Sequence, residues 1–398
     1  MVTIDAVRCV LLSSPYSFAE DAEILECFPN GPKRTVGMVE ITLSNGVTGI
    51  GEGYLAVFAP LVFRAIVELC APVLLGKDAL DIARRTADIR SLCDYWSLQG
   101  AARHVLSAID IALHDAAAKS REQPLFAYLG GTGECEIEVY GSGGCCDSRE
   151  HFLAEFGQLE ALGITLYKIR AVKGDINRTA WAVNEAGRRG IRVGVDMCQN
   201  LADPPQEVDD VVHFLERVHA SSDHRIVFLE EAVGPDCPEG FRDLRNRVEA
   251  KVCGGEIITT PGEMIRRMQA GVYDFVQPDA SVIGGISPVM EVFEASGRLD
   301  TDVVVHAWGG AAAIMASYHC AIAGGGRLVE HPMLDFPLGN EMLAGQRRIR
   351  DGRLGLPEAP GIGVTLTPEL EARYPFDPTA VYSCILQDYA RNPEDYWL

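Results

Sequence analysis

The chain has 398 residues, and 56 Asp and Glu against 35 Lys and Arg leave a formal net charge of −21. At 47% hydrophobic and 23% charged it has the composition of a folded globular protein, which excludes a largely disordered chain. So acidic a surface argues against nucleic-acid or anionic-membrane partners, because phosphate binding needs a positive footprint.

Length predicts two to three domains at about 150 residues each. The 12 cysteines are scattered, with one adjacent pair (Cys145-Cys146) and no CxxC, so buried reduced thiols of a cytoplasmic protein are expected rather than a disulfide framework or zinc ribbon. Met1 to Phe18 lacks a basic stretch followed by a long apolar run, so no signal peptide is expected. The two most apolar long stretches do not read as membrane spans. Ala59–Gly76 is broken by Arg64 and Glu68, and Ala307–Gly326, Gly/Ala-rich with His319, suits a tightly packed internal helix.

Residues 1–130 read as an α+β unit. Thr3–Ser13, Thr35–Leu43 and Val47–Gly51 are predicted strands, the last two joined by the hairpin signal Asn45-Gly46. Pro60–Leu75, Ala79–Asp94 and Leu106–Ala118 carry helical periodicity. From about residue 136 short apolar runs alternate with amphipathic stretches. The runs are Ile137–Tyr140, Leu166–Arg170, Arg192–Asp196, Ile226–Glu230, Lys251–Gly254, Asp274–Gln277, Val303–His306 and Arg327–Glu330. Arg149–Leu162, Val208–Val218, Glu263–Ala270 and Ser287–Ser296 are among the helical patterns between them. Eight runs separated by helices predict a parallel (β/α)7β TIM-type barrel over residues 131–340. Beyond Gly339 the Pro/Gly-rich chain (341–398) is expected to be irregular.

Ionisable residues recur where the predicted strands end, and that end of such a barrel carries the active site. Asp196, Glu230 and Glu256 come from three successive strands. Singly, each could cap a helix or pair with a lysine. Three in phase offer a set of hard oxygen donors, which favours Mg²⁺, or Mn²⁺ in its place, over Zn²⁺. Lys168 and Arg170, two apart on one strand, face the same side. They could hold a substrate carboxylate or a developing anion, or form an ion pair with the acids. His306 with Asp279 makes a candidate acid/base, the carboxylate fixing the imidazole tautomer. Glu330 could protonate or hydrogen-bond a substrate oxygen if burial raises its pKa.

The stretches TLYKIRAVKG, RVGVDMCQN, VFLEEAV, VCGGEIITT, DFVQPDASVIGG, VVVHAWGG and RLVEHP together resemble the enolase superfamily, most closely its mandelate racemase/muconate-lactonising branch. The resemblance implies an N-terminal α+β capping domain, a barrel, and a C-terminal segment returning to the cap. It implies that Asp196, Glu230 and Glu256 bind Mg²⁺, that Asp279 and His306 form an acid/base dyad, and that Glu330 acts as an electrophilic acid. It also implies a homo-oligomer acting on a small-molecule carboxylate. Loops over the barrel mouth are implied at Pro15–Pro32 and Glu52–Pro60, where Tyr16, Phe18, Phe28, Tyr54 and Phe58 could shape the pocket or simply pack between domains.

This chain departs from the branch at three points. Arg170 stands where a second lysine is common, Cys198 where an asparagine often follows the first metal ligand, and Glu230-Glu231-Ala232 where Glu-Glu-Pro or Glu-Gln-Pro is usual. Arginine rarely acts as a base, because its pKa exceeds about 12. The expected activity is therefore removal of a proton beside a carboxylate followed by elimination: an acid-sugar dehydratase. A racemase or epimerase using Lys168 and His306, and a lactone cycloisomerase, are the alternatives. A non-catalytic barrel is disfavoured by the intact Lys168, Asp279 and His306 set. A nucleotide-dependent oxidoreductase is unsupported, since no GxGxxG follows an early strand.

Overall fold

The computed structural model describes residues 1–17, 32–131, 136–145, 148–198, 205–299, 301–334, 336–345 and 347–380. Phe18, Phe28, Glu20, Asp21, Glu23, Cys146 and the aromatic tail (Tyr389, Tyr396, Trp397) lie outside them.

β1 (Ile4–Pro15), β2 (Lys33–Leu43) and β3 (Thr48–Glu52) form an antiparallel sheet. Asn45 accepts from the Val47 amide at 3.2 Å, and Gly46 takes φ +83°, which builds the expected turn between β2 and β3. Five helices follow: α1 (Leu55–Phe58), α2 (Pro60–Leu74), α3 (Ile82–Cys93), α4 (Ala101–Ser120) and α5 (Leu125–Tyr128). Pro60 starts α2, and the Asp81 side chain caps α3.

α4 lies directly on β3, and the sequence shows how. Gly49 and Gly51, two apart on one strand face, meet Ala108, Ala112 and Ala116, spaced one helical turn apart. A Cβ on Gly49 would stand 2.0 Å from the Ala112 carbonyl oxygen, and one on Gly51 2.0 Å from that of Ala108. Backbone cannot yield as a side chain does. Gly51→Ala is therefore expected to cost about 3 kcal/mol or more, at the upper end of overpacking, read as a lowered urea midpoint.

The barrel follows. Strands β4 (Glu136–Ser142), β5 (Leu166–Arg170), β6 (Arg192–Asp196), β7 (Ile226–Glu230), β8 (Lys251–Gly254), β9 (Phe275–Val276), β10 (Asp302–Val303) and β11 (Leu328–Pro332) alternate with helices. These are α6 (Arg149–Leu162), α7 (Ile176–Arg188), α8 (Val208–Ala220), α9 (Pro238–Arg247), α10 (Pro261–Gln269), α11 (Ile286–Leu299) and α12 (Ala311–Ala323). Successive strands from β4 to β10 pair in parallel, and β11 pairs in parallel with β4, which brings the ends of the series together as the (β/α)7β reading expects.

Tyr167, Ile169, Val195 and Leu229 point outward into one large apolar cluster with helix residues such as Phe156, Val183 and Phe214. Inside, Tyr140, Leu166, Phe228, Cys253 and Val304 form a separate apolar plug. Lys168 and Glu230 sit two residues after Leu166 and Phe228. Period-two alternation thus stacks an ionic layer on that plug, at the C-terminal end of the barrel.

The expectation of an irregular chain after Gly339 is corrected. α13 (Pro337–Leu343), a hairpin of β12 (Arg348–Arg350) and β13 (Arg353–Gly355), and α14 (Pro368–Arg373) occupy the segment, and β13 pairs antiparallel with β4. Elements this short bury too few residues to show a period. The segment returns to the N-terminal unit, since Ile362 donates to Asp115 at 2.8 Å and Arg8 pairs with Glu371 at 2.7 Å. The described cysteines are free thiols, but not uniformly buried: Cys70, Cys93, Cys253 and Cys320 are, while Cys237 is exposed. Among the described residues no helix is long and apolar enough to cross a membrane; Ala311–Ala323 is instead packed inside, buried along nearly its whole length.

His319 on α12 accepts the Phe126 amide at 3.0 Å. Burial pushes its imidazole down to about 3, against about 6.5 in an unfolded chain. Below pH 6.5 the unfolded chain takes up a proton that the folded protein refuses, so stability falls as pH falls, by about 1.4 kcal/mol per unit, until pH nears 3. His104 and His331, held down at about 4 and about 3, act in the same sense. Between pH 7 and 5, His319→Asn is expected to remove about 2 kcal/mol of the wild-type loss in unfolding free energy.

Candidate active site

All eight singled-out residues converge on the C-terminal mouth of the barrel. Asp196 and Glu230 are the last residues of β6 and β7 and stand opposite each other in register. Glu256 lies two residues past β8. Carboxylate oxygens of the three lie within 4.8 Å of one another. Burial pushes both Glu230 and Glu256 up, Glu256 well above the usual range. Lys168 partly relieves Glu230 and His306 partly relieves Glu256, while the neighbouring acids raise both further. An all-oxygen donor set with this much crowded negative charge fits a hard divalent cation.

The carboxylates are held from behind. Asp196 accepts the Cys198 amide at 2.9 Å, and Glu230 accepts the Gln277 side-chain amide at 2.6 Å. Cys198 and Glu231 both adopt φ +45°. Asparagine tolerates that left-handed backbone better than most residues, so Cys198 holds its place at some cost in strain. Glu231 turns away from the mouth and accepts the Gly255 amide at 2.6 Å.

Lys168 is fully buried. Its Nζ bonds Glu230, lies 2.8 Å from Glu330 and 3.8 Å from Asp196. Burial alone would lower its pKa, but these acids outweigh it and hold the ammonium well above its ordinary value. The neighbouring cations that would make Lys168 a base are absent among its described partners. Arg170, on the same face, is half-buried. It donates to the Gly143 carbonyl at 2.8 Å, touches Cys145 at 3.3 Å and stacks 4.3 Å over the Trp308 ring.

The β9 and β10 ladders are shorter than the predicted runs, so Asp279 and His306 each lie three residues past a strand end. Parallel backbone bonds still carry the chain there: Val304 donates to Val276 and His306 to Pro278, at 3.0 and 3.1 Å. His306 Nδ1 meets Asp279 at 2.6 Å, and Asp279 is itself fixed by the Ser281 amide and hydroxyl, both at 2.6 Å. With Nδ1 turned to Asp279, the other ring nitrogen, Nε2, faces the cluster. Nε2 is 3.3 Å from Glu256 and 3.8 Å from Glu330. Burial lowers the imidazole pKa, but Glu256, Glu330 and Asp279 outweigh it and hold His306 up to about 10.

Glu330 corrects the expectation of a pKa raised by burial. Burial does push it up, but Lys168, His306 and the Ala307 amide at 2.9 Å outweigh it and hold the carboxyl below the usual range. Gln277, Ser281 and Trp308 were not singled out from the sequence. Gln277 lies inside DFVQPDASVIGG and Trp308 directly follows HA, but neither carries a charge to mark it.

A family profile for the N-terminal domain of mandelate racemase/muconate lactonizing enzymes matches residues 30–130, and one for enolase C-terminal domain-like proteins matches residues 152–370. The chain is 26% identical to an L-rhamnonate dehydratase of Saccharopolyspora erythraea over 85% of each chain. It is 24% identical to an arabinonate dehydratase of Saccharolobus solfataricus, over 82% of this chain and 87% of that one. The 3,6-anhydro-D-galactonate cycloisomerase of Zobellia galactanivorans has the same fold, with a TM-score of 0.81 at 23% identity over 94% of this chain and 99% of that one. An L-talarate dehydratase of Polaromonas, solved with Mg and L-glucarate, superposes with a TM-score of 0.78 at 22% identity over 94% and 98% of the two chains. The chain belongs to the enolase superfamily, in its mandelate racemase/muconate-lactonising branch.

Proposed function

We propose that the protein is a Mg²⁺-dependent dehydratase of a sugar acid. The observation that carries this reading is the His306–Asp279 dyad, whose Nε2 faces the cluster of Asp196, Glu230 and Glu256. Oxygens of those three acids would hold the cation. When bound, Mg²⁺ supplies positive charge that offsets the charge developing on the substrate carboxylate. A cation at Glu256 would offset the charge that holds His306 protonated, and His306, once it has given up its Nε2 proton, takes the proton from the carbon beside that carboxylate, with Asp279 stabilising the imidazolium. Lys168, anchored by Glu230 and Glu330, places a further positive charge beside the developing enolate oxygen. The imidazolium then returns its proton to the departing β-hydroxyl, which leaves as water, and the resulting enol becomes a 2-keto-3-deoxy acid.

Elimination is favoured over racemisation because a two-base racemase needs a base on each face of the substrate. Arg170 keeps its charge at any working pH, and Lys168 is engaged by two carboxylates. The curated relatives named as dehydratases support the substrate class. Incubating the enzyme and Mg²⁺ with a library of sugar acids in D₂O tests the reading. A 2-keto-3-deoxy product is expected. Deuterium at the α-carbon without keto product would instead make the enzyme an epimerase.

A further inference from the structure

Arg34, near the start of β2, is buried, with 3% of its surface exposed. Among the described residues its Nε and Nη2 meet no hydrogen-bond partner, and both atoms are buried. These two N–H groups share one edge of the guanidinium plane, the edge that takes a carboxylate with two parallel hydrogen bonds. Glu52, an acid that feels the Arg34 charge, has its two oxygens on the Gly310 and Ala313 amides at 2.6 and 3.2 Å. A buried guanidinium with an unused edge is costly to the fold.

The neighbours of Arg34 tie it to the barrel mouth. Its guanidinium carbon is 5.6 Å from the Tyr54 ring centre, and the Tyr16 and Tyr54 hydroxyls are its polar neighbours. The Tyr54 amide donates to the Ser281 carbonyl at 3.2 Å, and Ser281 holds Asp279 behind His306. The charges of Glu256 and Asp279 reach the Tyr54 hydroxyl. On the other side Tyr16 lies near Cys145, whose thiol touches Arg170. Arg34 therefore sits where the N-terminal unit meets the mouth, between the cluster side and the Arg170 side.

We propose that the Nε/Nη2 edge of Arg34 binds the far carboxylate of the substrate, which makes the preferred substrate a dicarboxylic (aldaric) sugar acid rather than a monocarboxylic one. One substrate carboxylate goes to the cation site, and the second meets Arg34 with Tyr16 and Tyr54 at its flanks. This inference rests on the dehydratase reading for the reacting end of the substrate. It differs from that reading in naming what recognises the other end.

The test uses the Mg²⁺-loaded enzyme and matched pairs of five- and six-carbon acids, xylarate with xylonate among them, with dissociation constants read by calorimetry. At least one diacid is expected to bind about a hundredfold tighter than its monoacid, as two charge-assisted bonds imply. In Arg34→Met that ratio is expected to fall to near one. Arg34→Lys, which keeps the charge but loses the fork, is expected to fall in between. A wild-type ratio at or below one, or a ratio unchanged in both variants, overturns the proposal. Because binding is read directly, a missing keto product counts against the dehydratase reading, while the ratio alone judges Arg34.

Discussion

His306→Asn is expected to lower the rate of keto-acid formation by about a thousandfold, within the 10²–10⁴ that a positioned general acid/base contributes. The reason is positional: Nε2 is the dyad atom facing the acids, and Asp279 with Ser281 holds the ring from behind. Asn keeps a polar group of similar size but cannot take up the proton. Exchange of the substrate α-proton in D₂O, followed by NMR, should collapse with turnover while Mg²⁺ still binds. A variant that exchanges at the wild-type rate would show that another group is the base. Asp279→Asn should impair the same step without removing the imidazole, because an amide at that place no longer fixes the Nδ1–H tautomer.

Glu256→Gln is expected to separate stability from activity. The metal-free wild type crowds Glu256 against Asp196 and Glu230 in a buried site, so neutralising one acid should raise the melting temperature of the metal-free protein. Adding Mg²⁺ should stabilise the wild type by about 2.7 kcal/mol at a hundred times its dissociation constant. In the variant that gain should disappear, and turnover should fall below detection. A Glu256→Gln protein that is less stable without metal, yet still stabilised by Mg²⁺, would mean that the cluster is a structural ion network rather than a cation site.

The barrel was legible because its strands are short apolar runs ending in charge. β5 to β8 begin and end where those runs do, since they are largely buried; β5, β6 and β7 stop at an ionisable residue that reaches the mouth, and β8 stops two residues short of one. β9 and β10 were less so: their ladders cover two residues each, and the chain beyond stays extended by single backbone bonds. The acids were legible from strand-end phase alone. What Lys168 does was not, because its engagement by Glu230 and Glu330 depends on strands 62 and 162 residues further along coming together across the barrel. Arg34 escaped notice for a similar reason. Its sequence surroundings are ordinary, and only the fold buries its guanidinium beside Tyr16 and Tyr54 with one edge unpartnered among the described residues.

Crystals grown with Mn²⁺ in place of Mg²⁺, together with a carboxylate ligand, offer the most direct measurement. The anomalous signal should place one ion within about 2.0–2.4 Å of an oxygen from each of Asp196, Glu230 and Glu256, with His306 Nε2 facing the ligand's α-carbon. An ion bound elsewhere, or His306 turned away from that carbon, would contradict the account.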